Sequence, residues 1–122
     1  MKKRIDGKKI LLVDDEAQVR EAISLSLKFP GGEVTQAGNA EEALELYKPG
    51  IFDCVLTDYN MPGMKGDALA KAIKTSHREQ RVVMLSGLAN HLMEDGRLPW
   101  YLDAMVPKPF SLDKLIQAIV QD

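Results

Sequence analysis

The sequence predicts an α/β fold: one doubly wound, five-stranded parallel sheet with its strands in the order 2-1-3-4-5. Three observations carry that prediction. Apolar runs of strand length alternate with amphipathic stretches of helix length, the pattern of parallel strands covered by helices. Three of the five runs are almost wholly apolar, as strands covered on both faces are, while the second is mixed and the fifth short, as edges are. Finally, the residues that follow the strands are acidic, hydroxyl or basic, and they fall where open sheets of this class bind ligands.

Taken in order, "KILLV" (Lys9 to Val13) reads as a buried strand. A helix pattern runs from Glu16 to Phe29, with Val19, Ile23 and Leu27 four apart, and "PGG" stops it. "EVTQA" (Glu33 to Ala37) is the mixed strand. The next helix starts at Ala40: Asn39 and Glu42 have the spacing of a capping box, and Ala40, Ala43, Leu44 and Tyr47 share a face. "DCVLT" (Asp53 to Thr57) is the third strand, followed by the turn residues Pro62, Gly63 and Gly66. A helix from Ala68 to Ser76 then turns Leu69, Ala72 and Ile73 inward. "RVVML" (Arg81 to Leu85) is the fourth strand.

Gly96 and Pro99 interrupt the following helical stretch, so the fourth helix is expected to be short or irregular, from about Ala89 and finished before Pro99. "AMV" (Ala104 to Val106) is the short fifth strand. Ser111 caps a last helix with Leu112, Leu115, Ile116 and Ile119 at i, i+3, i+4 and i+7. The whole is a flavodoxin-like three-layer sandwich with five helices, read as a single domain over residues 1–122.

Composition narrows the function. A chain of 122 residues, 45% hydrophobic and 28% charged, folds around its own core without disulfides or a structural metal. A net charge of −2 gives no electrostatic case for nucleic acid or an anionic membrane surface. The lone Cys54 has no internal bridging partner and reads as an inert core residue in a reducing, cytoplasmic setting. "MKKRIDGKK" starts like a signal peptide, but only "ILLV" follows before "DDE", so it reads as a solvated lead-in. No window is long enough to span a bilayer.

The strand ends gather the chemistry. Asp14 and Asp15 follow strand one, Asp58 strand three, Ser86 strand four and Lys108 strand five. An acidic pair after one strand would by itself be read as a helix cap. Three carboxylates brought to one rim repel one another unless a cation joins them, and oxygen ligands in a partly hydrated site suit Mg²⁺. With an ammonium from Lys108 and a hydroxyl from Ser86, the set is that of phosphoryl transfer, and Asp58, ending a central strand before turn residues, is the nucleophile.

The pattern "LLVDDE", "VLTDYNMPGMKG", "VVMLSG", "VPKPF" resembles the receiver domain of two-component response regulators over nearly the whole chain. The resemblance implies that Asp58 accepts a phosphoryl group from a histidine kinase or a histidine phosphotransfer protein. It implies that Asp14, Asp15, Asp58 and the backbone carbonyl of Asn60 hold Mg²⁺. It implies that Ser86 binds the phosphoryl group in the active state and that Lys108 contacts a phosphoryl oxygen. The bond from Lys108 to Pro109 is often cis in the family. Such a domain turns over no external substrate; it catalyses only its own phosphorylation and dephosphorylation and switches the binding of a partner, with pairing to a second copy also open.

One residue departs from the family. Met105 stands where an aromatic is usual, three residues before the lysine, so the usual ring switch is not expected; Met105, Gly96 and Pro99 together make the segment from Leu88 to Leu102 the expected alternative reporter. That departure and the irregular fourth helix favour the alternative of a phosphorylation-independent pseudo-receiver acting as an interaction module, although every acidic, hydroxyl and lysine position of the family is present. A haloacid-dehalogenase-like phosphatase would need a second aspartate where Asn60 stands. A nucleotide-binding flavodoxin-like protein would need a glycine- or hydroxyl-rich loop after strand one. Trp100 is read as covering a gap beside the short fourth helix, ahead of a contact surface formed with Tyr101. His77 and His91 are read as solvated, and Asp53 as a surface charge rather than a metal ligand.

Overall fold

The computed structural model describes residues 5–87, 93 and 96–120. Its sheet is wholly parallel, in the order β2-β1-β3-β4-β5, with β1 Lys9–Val13, β2 Glu33–Ala37, β3 Cys54–Asp58, β4 Val82–Ser86 and β5 Ala104–Pro107. The central strands β1, β3 and β4 are buried almost throughout, whereas β2 and β5 alternate or open to solvent, as expected of edges. The third strand is displaced by one residue from its expected span. Asp58 belongs to the ladder, opposite Leu85, while Asp53 lies outside it and accepts a hydrogen bond from the Lys9 amide at 2.8 Å.

Four helices stand among the described residues: α1 Ala17–Lys28, α2 Ala40–Leu46, α3 Gly66–Ser76 and α4 Leu112–Val120. The expected irregular helix from Ala89 lies largely outside the described residues, as do His91 and much of the segment from Leu88 to Leu102. Strand alternation splits the core in two. Ile10, Leu12, Cys54, Leu56, Val83 and Leu85 face α1 and α4, meeting Ile23, Leu27, Leu115, Ile116 and Ile119. Leu11, Val13, Val55, Val82 and Met84 face α2 and α3, meeting Ala40, Ala43, Leu69, Ala70 and Ile73. Each large aliphatic side chain so buried contributes about 1.5–3 kcal/mol.

Several expected inward positions turn outward. Ala70, not Ala72, fills the α3 interface, and Leu44 and Leu112 sit at the solvent edge. Small residues on adjacent helical positions leave the helix rotation weakly determined, and Leu112 is in the first turn, beyond the sheet's cover. The lead-in is not wholly solvated: Ile5 is buried, and its amide bonds the Pro30 carbonyl at 3.1 Å. Both capping acceptors form, Asn39 Oδ1 accepting from the Glu42 amide at 2.7 Å and Ser111 Oγ from the Lys114 amide at 3.2 Å. The Glu42 carboxylate, however, accepts from the Gly38 amide at 2.6 Å rather than from that of Asn39, so the capping box is shifted by one residue.

At the far end of the sheet from the strand carboxyl ends, Lys74 is buried and places its Nζ 2.7 Å from Asp103 Oδ2, which also accepts from the Val82 amide. Trp100, expected to cover a gap, follows a stretch that lies largely outside the described residues. It remains 55% exposed, with the Arg78 guanidinium 5.7 Å from its ring, and Tyr101 and Leu102 are the residues that enter the core. His77 is half-buried rather than solvated, its ring 5.6 Å from that of Tyr47.

Candidate functional site

The ladder itself carries the carboxylates into place. The Asp14 amide donates to the Ala37 carbonyl at 3.1 Å, extending the β1–β2 pairing one residue beyond Val13 and holding Asp14 against the sheet, where it is 1% exposed. Its Oδ1 accepts from the Glu16 amide at 2.9 Å. Asp58 is the last residue of β3 and is also buried; its Oδ1 accepts from the Tyr59 amide and from Lys108 Nζ, each at 3.0 Å. Lys108 reaches it because its amide donates to the Ser86 carbonyl at 3.0 Å, carrying the β4–β5 pairing past Pro107. The Lys108–Pro109 bond is cis.

Ligand oxygens of Asp14, Asp15 and Asp58 lie within 4.8 Å of one another. The Oδ2 of Asp14 is buried without a hydrogen-bond partner among the described residues. Burial pushes the Asp14 carboxyl above its usual range; the Asp58 and Asp15 charges add to this, while the Glu16 amide and Lys108 oppose it. A buried oxygen lacking a donor, within reach of two further carboxylates, is unsatisfied unless a cation completes it. The donor set is all oxygen and strongly anionic, which fits Mg²⁺.

Beside the carboxylates opens a cleft of about 360 Å³ lined by Glu16, Asp58, Tyr59, Asn60, Ser86, Gly87 and Lys108. Every residue singled out from the sequence thus reaches one end of the sheet: Asp14, Asp15 and Asp58 as a cluster, Lys108 on Asp58, and Ser86 and Asn60 in the cleft wall. Two supporting roles could not be read from the sequence. Arg20 Nη1 donates to the Asp14 backbone carbonyl at 2.6 Å while its Nε donates to Gln36 Oε1 at 3.1 Å, pinning the acidic loop to β2. A guanidinium that grips a main-chain carbonyl leaves no partner residue type to look for.

Gly66 plays the other. A Cβ there would collide with the Asp58 carbonyl oxygen, and the Gly66 amide donates to the Tyr59 carbonyl at 2.9 Å. The start of α3 is thereby seated directly on the end of β3, in contact that only glycine permits. The sequence marked Gly66 as a turn residue; its work is close approach. Met105 pairs with Met84 and packs, half-buried, against the α2/α3 half of the core. No helix among the described residues is long and apolar enough to cross a membrane.

A family model described as the response regulator receiver domain matches residues 10–120. The cell cycle response regulator CtrA of Brucella ovis is 30% identical over 111 residues, covering 91% of this chain and 48% of its own length. The chain therefore spans about half the length of the curated relatives it matches. Among solved structures, response regulator TrrA from Thermotoga maritima in complex with Mg(2+)-BeF superposes with a TM-score of 0.82 at 34% identity, covering 92% of this chain and 96% of that one. The complex of histidine kinase ThkA with TrrA contains a chain matched at TM-score 0.80 and 31% identity, over 93% of this chain and 98% of that one. The chemotaxis response regulator CheY4 of Vibrio cholerae gives 0.80 at 28% identity, over 93% and 98%.

Proposed function

Because this chain belongs to the response regulator receiver family, we propose that it is a phosphoacceptor switch in which Asp58 takes a phosphoryl group from a histidine kinase or histidine phosphotransfer protein. The observation that carries the reading is the cluster of Asp14, Asp15 and Asp58 with Lys108 Nζ 3.0 Å from the Asp58 carboxylate. A carboxylate oxygen of Asp58 attacks phosphorus; the O–P bond forms as the P–N bond to the donor imidazole breaks, and the imidazole keeps the bonding pair. Lys108 holds the carboxylate in the attacking position and neutralises charge on the transferring group. Ser86, at the end of β4 in the cleft wall, offers a hydroxyl to the same group. Asp14, Asp15, Asp58 and the Asn60 carbonyl would hold Mg²⁺, which would supply further neutralisation of charge at the site.

The reading extends to partners. The ThkA–TrrA complex supports a histidine kinase as donor, and the Mg(2+)-BeF complex of TrrA supports the metal. The output is a change in affinity for a protein partner in the cytoplasm, without turnover of an external substrate. Intact mass after incubation with acetyl phosphate and Mg²⁺ tests this, with Asp58→Asn alongside. A single hydroxylamine-labile phosphoryl adduct, absent from the variant, is expected. No adduct on a wild-type protein shown to bind Mg²⁺ would favour the pseudo-receiver instead.

A further inference from the structure

Lys65 occupies the N-cap of α3, a position for which its side chain is unsuited. The cap is where an acceptor satisfies the free amides of the first turn, and Lys65 makes no such bond although its backbone (φ −83, ψ 167) has the extended shape of a cap. Its ammonium also stands at the positive end of the helix dipole. Both effects cost stability, so what the side chain does instead matters. It turns back across the loop: Nζ donates to Asn60 Oδ1 at 3.1 Å and lies 3.5 Å from the Met61 carbonyl. Asn60 lines the cleft beside Asp58, and it also lines a shallower depression shared with Asp15, Glu16 and Lys65.

From this we infer that Lys65 is a positioning residue that lengthens the life of the phosphoryl group by occupying the side-chain carbonyl of Asn60. The inference rests on the acceptor reading of Asp58. The acyl phosphate is lost when water attacks phosphorus: the new O–P bond forms, the bond to the Asp58 oxygen breaks, the carboxylate is regenerated, and water's proton leaves with solvent or phosphate. An amide side chain beside the phosphoryl group is suited to orient that water through its carbonyl oxygen, the part a glutamine plays in GTP hydrolysis. An ammonium on Oδ1 competes with water for that oxygen and holds the carboxamide to the loop. With Lys65 in place, Asn60 is a wall of the cleft rather than a guide for water.

The test is the decay of the phosphoryl adduct, by intact mass after removal of the donor, in wild type, Lys65→Met, Lys65→Asn, Asn60→Ala and the Lys65→Met/Asn60→Ala double variant. Lys65→Met should speed decay about fivefold, the rate equivalent of one hydrogen bond, with no effect when Asn60 is already alanine. Lys65→Asn separates positioning from structure. It restores a capping acceptor, so thermal stability should rise while the adduct lifetime falls; a purely structural role would move both the same way. An unchanged lifetime, or equal acceleration with and without Asn60, overturns the inference and leaves the acceptor reading standing. No adduct on the wild-type protein overturns both.

Discussion

Lys108 Nζ stands 3.0 Å from Asp58 Oδ1 across 50 residues of sequence, joining the ends of two strands that are not neighbours in the sheet. The lysine side chain is only partly buried, so the pair remains wetted on one side. Its value therefore lies less in holding the fold than in fixing a charge next to the carboxylate proposed as the phosphoryl acceptor. Lys108→Met, which keeps the apolar stem, should slow phosphoryl uptake from acetyl phosphate roughly 10²-fold while leaving the circular dichroism spectrum unchanged. An uptake rate within a factor of two of wild type would show that the ammonium plays no part.

Asp14→Asn should stabilise the metal-free protein. The buried carboxylate sits with Asp15 and Asp58 and has one oxygen without a donor among the described residues, so removing its charge relieves repulsion and desolvation together. A gain of about 1 kcal/mol in urea unfolding is expected. Millimolar Mg²⁺ should raise the wild-type melting temperature and leave the variant nearly unmoved. A variant less stable than wild type without Mg²⁺ would contradict the account of the cluster.

Gly66→Ala should lower stability by about 1–3 kcal/mol, because the added methyl meets main-chain carbonyl rather than a side chain able to swing aside. Because the displaced atom belongs to Asp58, phosphoryl uptake should fall as well. Denaturant midpoints and adduct yield, measured on the same preparation, check both halves.

Burial pushes the pKa of the Cys54 thiol up to about 12, from 9.0 for a free thiol. Below pH 9 the thiol is protonated in folded and unfolded chains alike, and its contribution to stability is fully present. Between pH 9 and about 12 only the unfolded chain releases the proton, so stability is lost with a slope of up to about 1.4 kcal/mol per pH unit. Cys54→Ala should lack that component of the alkaline slope, and in the native wild type the thiol should resist a disulfide reagent at pH 8. Identical slopes in the two proteins would refute the assignment.

The sheet and its site were legible because both follow from simple rules. Short, wholly apolar runs alternating with amphipathic helices read as doubly covered parallel strands, and the polar residues at the carboxyl ends of such strands share one rim. What escaped the sequence depends on rotation or on main-chain contact. Trp100 and Tyr101 are neighbours of similar size pointing in different directions, and nothing local decides which enters the core. Ala70 and Ala72 are interchangeable in hydropathy. Arg20 acts on the Asp14 carbonyl, and the burial of Lys74 is compensated by Asp103, beyond any helical spacing. The cap at Lys65 runs against the rule for capping residues, a mark of a position shaped by something other than helix stability.

The division of the core by the sheet has a consequence for how the protein tolerates change. Leu12 and Leu11 are adjacent in sequence yet belong to separate hydrophobic compartments, with only main chain between them. Truncations on opposite faces therefore fall on independent accounts and sum, whereas two on one face share a cavity and do not. One half of the interior can be rewritten in a lineage while the other stands still, and the carboxylates at the strand ends, anchored to backbone common to both, keep their place throughout.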